Sequence, residues 1–401
     1  MVAVAPARPR TPLSHRSGFW LGLTATLAML LGASAPSPFY PVLQAELGYS
    51  QATSTVVFAI YAVALLATLL VTGSLSDHIG RRPVLSAGFA ILAISMVLFW
   101  HADSLAVLLT ARSIQGIATG LLLSALAAIV VDFEPPEHPG LASTYNSVFP
   151  LVGLALGALA GGFAIELLDS PLAVIFGGLA VLYLAFSALV WGLAETSARH
   201  EGIWSALVPR IGIPVPARAA FIRSAPALFA GWATGGFYLS IGAPLVLQTF
   251  DESNHIVQGL VVTALTGTGA LAAYLARGFT PRQITLYGTT ALAVGTALGI
   301  VSIATGSLIG FLLTAVIAGT GFGTAFMGIL RSITPTVGPE ERGELFSGVF
   351  VISYLAFGIP AVAAGIAAPH LGLDTTATVY GSVVVLLATT AALLRRFTTN
   401  D

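Results

Sequence analysis

The 401-residue sequence contains no cysteine, which excludes disulfides, thiol nucleophiles and thiolate-bound metals. Charge is scarce as well. Asp, Glu, Lys and Arg make up 8% of the residues, against about a quarter in a soluble domain, whose surface has to face water. Lysine is absent, so all 16 basic residues are arginine, and the formal net charge is −1. So balanced a charge gives no electrostatic basis for binding nucleic acid. The seven histidines lie mostly in loops, at no metal-binding spacing. No phosphate-binding loop of the Walker type occurs, which argues against ATP-driven work by this chain, and no cofactor or metal is expected.

What is present is apolar. Hydrophobic residues make up 56% of the chain, and the mean hydropathy is +0.92. Such a composition cannot cover a soluble fold of this size, so most of the surface faces lipid. The 43 glycines and 22 prolines would be excessive in soluble helices, but membrane helices tolerate them.

Twelve apolar runs approach the roughly 20 residues a helix needs to cross a bilayer. The first six are Phe19–Tyr40, Ala52–Val71, Val84–Trp100, Leu105–Val131, Leu141–Ile165 and Pro171–Leu193. The second six are Pro226–Gln248, Ile256–Ala276, Ile284–Ala304, Leu308–Leu330, Leu345–Ala368 and Thr376–Leu394. Arg8, Arg10 and Arg16 ahead of the first run resemble a signal peptide. That run is too long and has no clean small-residue cleavage site, so it reads as a retained span.

The arginines give the orientation. With the N-terminus inside, fifteen of the sixteen fall on cytoplasmic segments and none in an outer loop, as the positive-inside rule requires. A missed or invented span would have broken that alternation. The expected organisation is a cytoplasmic tail (1–18), a six-helix bundle (19–193), a cytoplasmic loop (194–224), a second six-helix bundle (225–394) and a cytoplasmic tail (395–401). A short segment around Trp204 is expected to lie along the inner face. Sequence echoes relate the halves. Leu108-Leu109-Thr110-Ala111 recurs as Leu312-Leu313-Thr314-Ala315, and Pro136-Glu137-x-x-Gly140 as Pro339-Glu340-x-x-Gly343. Leu31-x-x-x-Ala35-Pro36 recurs as Leu239-x-x-x-Ala243-Pro244. Two parallel six-helix repeats are a transporter signature, with the solute site between them near the midplane.

Three motifs carry a more specific reading. Between spans 2 and 3 runs Gly73-Ser74-Leu75-Ser76-Asp77-His78-Ile79-Gly80-Arg81-Arg82-Pro83-Val84-Leu85. It resembles motif A of the major facilitator superfamily in Gly73, Leu75, Asp77, Gly80, Arg81, Arg82 and Leu85, with His78 in place of the usual basic residue. Its physical reading is a conformational latch, in which Asp77 meets the positive N-terminal end of span 11 near Glu344. A plain positive-inside anchor accounts for Arg81 and Arg82 but not for Asp77 or the glycines. In span 4, Leu108-x-x-x-Arg112-x-x-Gln115-Gly116-x-Ala118-x-Gly120 is similar to motif B. Arg112, Gln115, Gly116 and Thr119 share one helix face. Arg112 is the one charge deep in any span, at a cost of at least about 2.5 kcal/mol unless it faces a cavity. The alternative is an arginine that snorkels outward or binds a carbonyl. In span 5, Gly153-x-x-x-Gly157-Ala158-x-x-Gly161-Gly162 looks like motif C of the superfamily's antiporters, with Ala158 where that motif has proline. Close packing of small residues between helices explains the same spacing equally well.

The resemblance implies an all-α membrane protein of twelve transmembrane helices in two pseudo-symmetric bundles, with spans 1, 4, 7 and 10 lining the cavity. Span 11, with Arg342-Gly343-Glu344-Leu345 and Tyr354-Leu355-Ala356-Phe357-Gly358-x-Pro360, looks like members from bacterial drug-efflux branches. The expected function is secondary active transport of a small solute by alternating access, as proton-coupled efflux of a drug-like or metabolite compound. The alternative is a facilitator or importer of a small anionic solute bound by Arg112. No Asp or Glu stands in the middle of a span to carry the proton. Asn146 and Tyr145 on span 5, with Trp232 and Tyr238 on span 7, are candidate cavity residues. A polytopic membrane enzyme would need a catalytic constellation at membrane depth, and none is legible. The expected setting is the cell's inner (plasma) membrane, as a multi-pass monomer with both termini cytoplasmic. Its partners are then a small-molecule substrate and the lipid bilayer.

Overall fold

The computed structural model describes residues 14–397 apart from His200, Ile203, Ser205, Ala206 and Arg210. Arg8, Arg10, Arg210 and residues 398–401 of the C-terminal tail lie outside the described residues. The first half holds α1 (His15–Ser34), α2 (Phe39–Leu47), α3 (Gln51–Thr72), α4 (Leu75–Ile79), α5 (Arg81–Trp100), α6 (Leu105–Asp132), α7 (Leu141–Leu167) and α8 (Gly178–Leu189). The second half holds α9 (Arg218–Gln248), α10 (His255–Leu275), α11 (Pro281–Ala304), α12 (Leu308–Ile333), α13 (Arg342–Leu371) and α14 (Leu373–Phe397). Polar residues start the helices where the chain turns back. Ser14, Ser50, Ser104, Asn254 and Ser307 each accept a hydrogen bond from a first-turn amide. Thr280 and Gln283 form a reciprocal capping box. Each cap satisfies backbone donors that have no partner within the helix.

Eleven helices among the described residues are long and apolar enough to cross a membrane. The twelfth crossing is α9, 31 residues long, in which glycine, serine, threonine and tyrosine dilute the apolar content. Three expectations change. The first span does not run unbroken to Tyr40: α1 ends at Ser34 and α2 resumes at Phe39, after a turn through Ala35-Pro36-Ser37-Pro38, because proline cannot supply the amides that would continue the helix. Span 7 begins at Arg218, inside the stretch expected as loop, because its first turns are polar. Span 6 opens with a π-helical turn over Ala173–Gly177.

The halves are built alike. In the first, α1 packs on α7, α3 on α6, α5 on α6 and α5 on α8. The corresponding pairs in the second are α9 with α13, α10 with α12, α11 with α12 and α11 with α14. The halves meet along α7 with α10 and α3 with α13. Arginines gather at one end: Arg331 donates to the Arg277 carbonyl at 3.2 Å, Arg282 to the Arg396 carbonyl at 3.2 Å and Arg395 to the Ser332 hydroxyl at 2.6 Å.

Candidate solute-binding cavity

At the end opposite the arginines the halves are pressed together. Ala158 and Gly162 of α7 lie against Gly259 and His255 of α10, backbone to backbone. Gly365 of α13 lies on Thr55 of α3, and the Ser37 hydroxyl donates to the Leu239 carbonyl at 2.9 Å. On the rim, Glu166 of α7 accepts from the His255 backbone amide at 3.0 Å and pairs with its imidazole at 3.1 Å. At the arginine-rich end the halves diverge around a cavity of 1830 Å³. Its walls come from α1, α3, α6, α7, α9, α12 and α13, so spans 2, 5 and 11 join the expected spans 1, 4, 7 and 10.

Arg112 lies in the wall of this cavity and is 1% exposed. Its Nη1 donates to Gln115 Oε1 at 2.6 Å and to the Ala33 carbonyl at 3.5 Å, and its Nε donates to the Val57 carbonyl at 3.4 Å. Gln115 Nε2 donates in turn to the Gly32 carbonyl at 2.7 Å. The Tyr61 ring lies 4.6 Å from the guanidinium carbon, and the Tyr40 ring 5.7 Å. Gly116 makes this possible: a methyl group there would sit 2.5 Å from the Tyr61 carbonyl oxygen, so only glycine lets α3 come close enough to bring Tyr61 over the cation. Rings and carbonyls offset part of the burial cost, at about 0.5–2 kcal/mol for each cation–π contact. Among the described residues no carboxylate pairs with Arg112. The side chain is buried rather than snorkelling outward, while the carbonyl contacts of the alternative reading are present at Ala33 and Val57.

The motif A residues stand at the mouth. Gly80 has φ +108°, a backbone that side chains rarely adopt, and a methyl there would lie 2.7 Å from Glu195. That turn places the Arg81 and Arg82 amides on the Glu195 carboxylate, at 2.8 and 3.3 Å. Arg81 pairs with Asp77, donates to Asp132 at 3.3 Å and to the Ser76 hydroxyl at 2.6 Å. Gly73 lines the cavity beside them, and Leu75 packs against the first-half core. Asp77 and Glu344 both line the cavity, and the ion pair of Asp77 among the described residues is with Arg81. Glu195 was not legible: it reaches the motif from a loop more than a hundred residues along the chain, with no local pattern to mark it.

The small-residue stripe of α7 is a packing surface. Gly153 and Gly157 face the carbonyls of Leu27 and Leu31 on α1, Gly161 faces that of Ala35 just beyond it, and Gly162 faces His255 across the halves. Asn146 lines the cavity and donates to the Ala127 carbonyl at 3.2 Å. Its neighbour Tyr145 packs instead with Phe149, Phe19 and Trp20. Trp232 lines the cavity at the head of an aromatic group, 5.5 Å from Phe326, 5.0 Å from Tyr354 and 6.0 Å from Phe357. Phe58 of the first half packs on Phe357, the two rings tilted with centroids 4.8 Å apart. Tyr238 does not line the cavity; it is buried against Phe237 and Phe311 at 5.3 and 5.7 Å. Six residues separate it from Trp232, a rotation that leaves the two roughly 120° apart around α9, so both cannot face one opening. Tyr40, Tyr61, Phe58 and Phe326 went unnoticed in the sequence, since aromatics in membrane spans are commonplace. Among the described residues no cluster of metal-ligating side chains occurs.

The sequence profile of the Major Facilitator Superfamily matches residues 22–361. Puromycin resistance protein pur8 of Streptomyces alboniger is 24% identical over 91% of this chain and 86% of its own length. Quinolone resistance protein NorA of Staphylococcus aureus is 23% identical over 40% of this chain and 42% of its own. The crystal structure of the human organic anion transporter MFSD10 (TETRAN) superposes with a TM-score of 0.69 at 19% identity, covering 94% of this chain and 99% of that one.

Proposed function

From the premise that the chain belongs to the major facilitator superfamily, and is therefore a multi-pass transporter rather than an enzyme, we propose that it exports a small amphiphilic compound by alternating access. Protons moving inward drive the export. It works as a monomer in the plasma membrane, with both termini cytoplasmic. The supporting observation is a large cavity between the halves, open at the arginine-rich end and sealed at the other. With that end in the cytoplasm by the positive-inside rule, the cavity stands where an exporter loads. The resistance proteins among its relatives point toward drug-like cargo. A growth-inhibition panel that includes puromycin and quinolones, comparing overexpression with deletion, tests the reading. Export predicts raised tolerance to at least one amphiphile on overexpression, abolished by collapsing the proton gradient. Tolerance unchanged across the panel overturns it.

A second reading is a facilitator or importer for a small anion held at Arg112. It is favoured by the buried guanidinium, which has no carboxylate partner among the described residues, and by the lack of a mid-span carboxylate to carry protons. Flux in everted vesicles separates the two: a facilitator's flux follows the solute gradient and ignores an imposed pH step.

A further inference from the structure

Granting the transporter reading above, we propose that the cavity recognises an aromatic organic anion: its anionic group on Arg112 and Tyr40 in the first half, its ring body among Trp232, Phe326, Tyr354 and Phe357 in the second. Arg112 offers five N–H donors, and its side chain makes three hydrogen bonds, two of them long at 3.4 and 3.5 Å. Its charge is answered by rings and carbonyl dipoles and, among the described residues, by no carboxylate. Next to it the Tyr40 hydroxyl, buried and lining the same cavity, faces the guanidinium and has no acceptor for its own proton. A hydroxyl without an acceptor beside a half-satisfied guanidinium is a pair of donors awaiting an acceptor that carries negative charge. A cation would be repelled by the guanidinium, and a neutral amide would leave the guanidinium charge unanswered.

The ring body follows from what adjoins this pair. Tyr61, over the cation, and Phe58 are three residues apart on one face of α3, a rise of about 4.5 Å. Phe58 touches Phe357, and Phe357 touches Trp232. Rings thus run from the cation to the aromatic group without a break, the Phe58 and Phe357 centroids lying 4.8 Å apart and those of Phe357 and Trp232 6.0 Å. Charges of both signs stand at the mouth, among them Asp77, Arg81, Asp132 and Arg331, so entry does not select for sign and the depth does. Because the two ends of such a molecule rest on different halves, its binding would draw the halves together.

The test is calorimetric binding to the purified full chain of three matched probes: 1-naphthylacetate, its neutral amide, and 1-naphthylethylamine as the cation. The acid should bind at least tenfold more tightly than the amide, with the amine weakest. Arg112→Gln should bring the acid-to-amide ratio to about one, and Trp232→Ala should weaken both by the same factor. Tyr40→Phe, which keeps the ring, should cost the acid several-fold and leave the amide unchanged. It preserves a reading if Arg112→Gln fails to fold. Amide or amine binding as tightly as the acid, or no measurable binding of the acid, overturns the inference. The export reading fails separately, through a resistance panel in which nothing is expelled. If the panel is positive and the amine binds best, export stands and the anion site falls.

Discussion

Arg112 holds three acceptors on three structural elements at once: Gln115 on its own helix, Ala33 on α1 and Val57 on α3. A lysine at this position keeps the charge but offers a single nitrogen with no planar fork. Arg112→Lys and Arg112→Ala should therefore both lower solute flux at least tenfold at matched membrane abundance. Full activity in Arg112→Lys would show that the fork is irrelevant. Retained binding with loss of gradient-driven flux would move Arg112 from recognition to coupling. This residue was legible because a charge inside an apolar run has few explanations. Its company was not. Tyr40 and Tyr61 arrive from α2 and α3 through tertiary packing, and nothing local distinguishes them from aromatics such as Tyr238 that only fill a core.

At the level of helices, the glycines of α7 set how closely α1 can approach. A side chain at Gly157 would run into the Leu31 carbonyl and the Ser34 hydroxyl. Backbone cannot move aside cheaply, so Gly157→Val should cut folded yield and lower the melting temperature, read by fluorescence-detected size exclusion. Gly178→Ala on α8 meets nothing within 4 Å and should leave yield unchanged, even gaining a little from the reduced chain entropy of alanine. Equal behaviour of the two variants would remove the packing argument. Asp77 pairs with Arg81 and lines the cavity, and the latch expected of it is open to test. Asp77→Asn should express normally, transport more slowly and expose a cysteine at Ser147 in the cavity wall more fully to thiol reagent from the arginine-rich side. Unchanged kinetics would dispose of the latch. The spans themselves were legible from hydropathy. Their internal breaks were not, since the turn at Ala35-Pro36-Ser37-Pro38 sits within an apolar run and the polar start of α9 resembles a loop.

For the molecule as a whole, the absence of native cysteine makes orientation directly measurable. Single cysteines at Ser104 and Asp374 should react with an impermeant maleimide applied to intact cells, and cysteines at Ser76 and Ser197 should not. Labelling at Ser197 would invert the topology and turn the cavity outward. The duplication was visible in three short echoes, and the paired helix contacts in the two halves give it a physical form. One helix breaks the pattern in a way that bears on how the protein is made. Alone among the crossing helices, α9 falls short of the apolar content that marks the other eleven. A segment that leaves the translocon chiefly by partitioning into lipid would hesitate at this point, so α9 should wait for later helices to shield its polar face before it is released. In a microsomal translation assay, a glycosylation acceptor inserted beside Asp251 should be modified efficiently in the full chain. In a chain truncated shortly after Asn254 it should be modified less than half as well. Equal modification would mean that α9 inserts unaided; a deficit would make the second half a late, cooperative step in biogenesis.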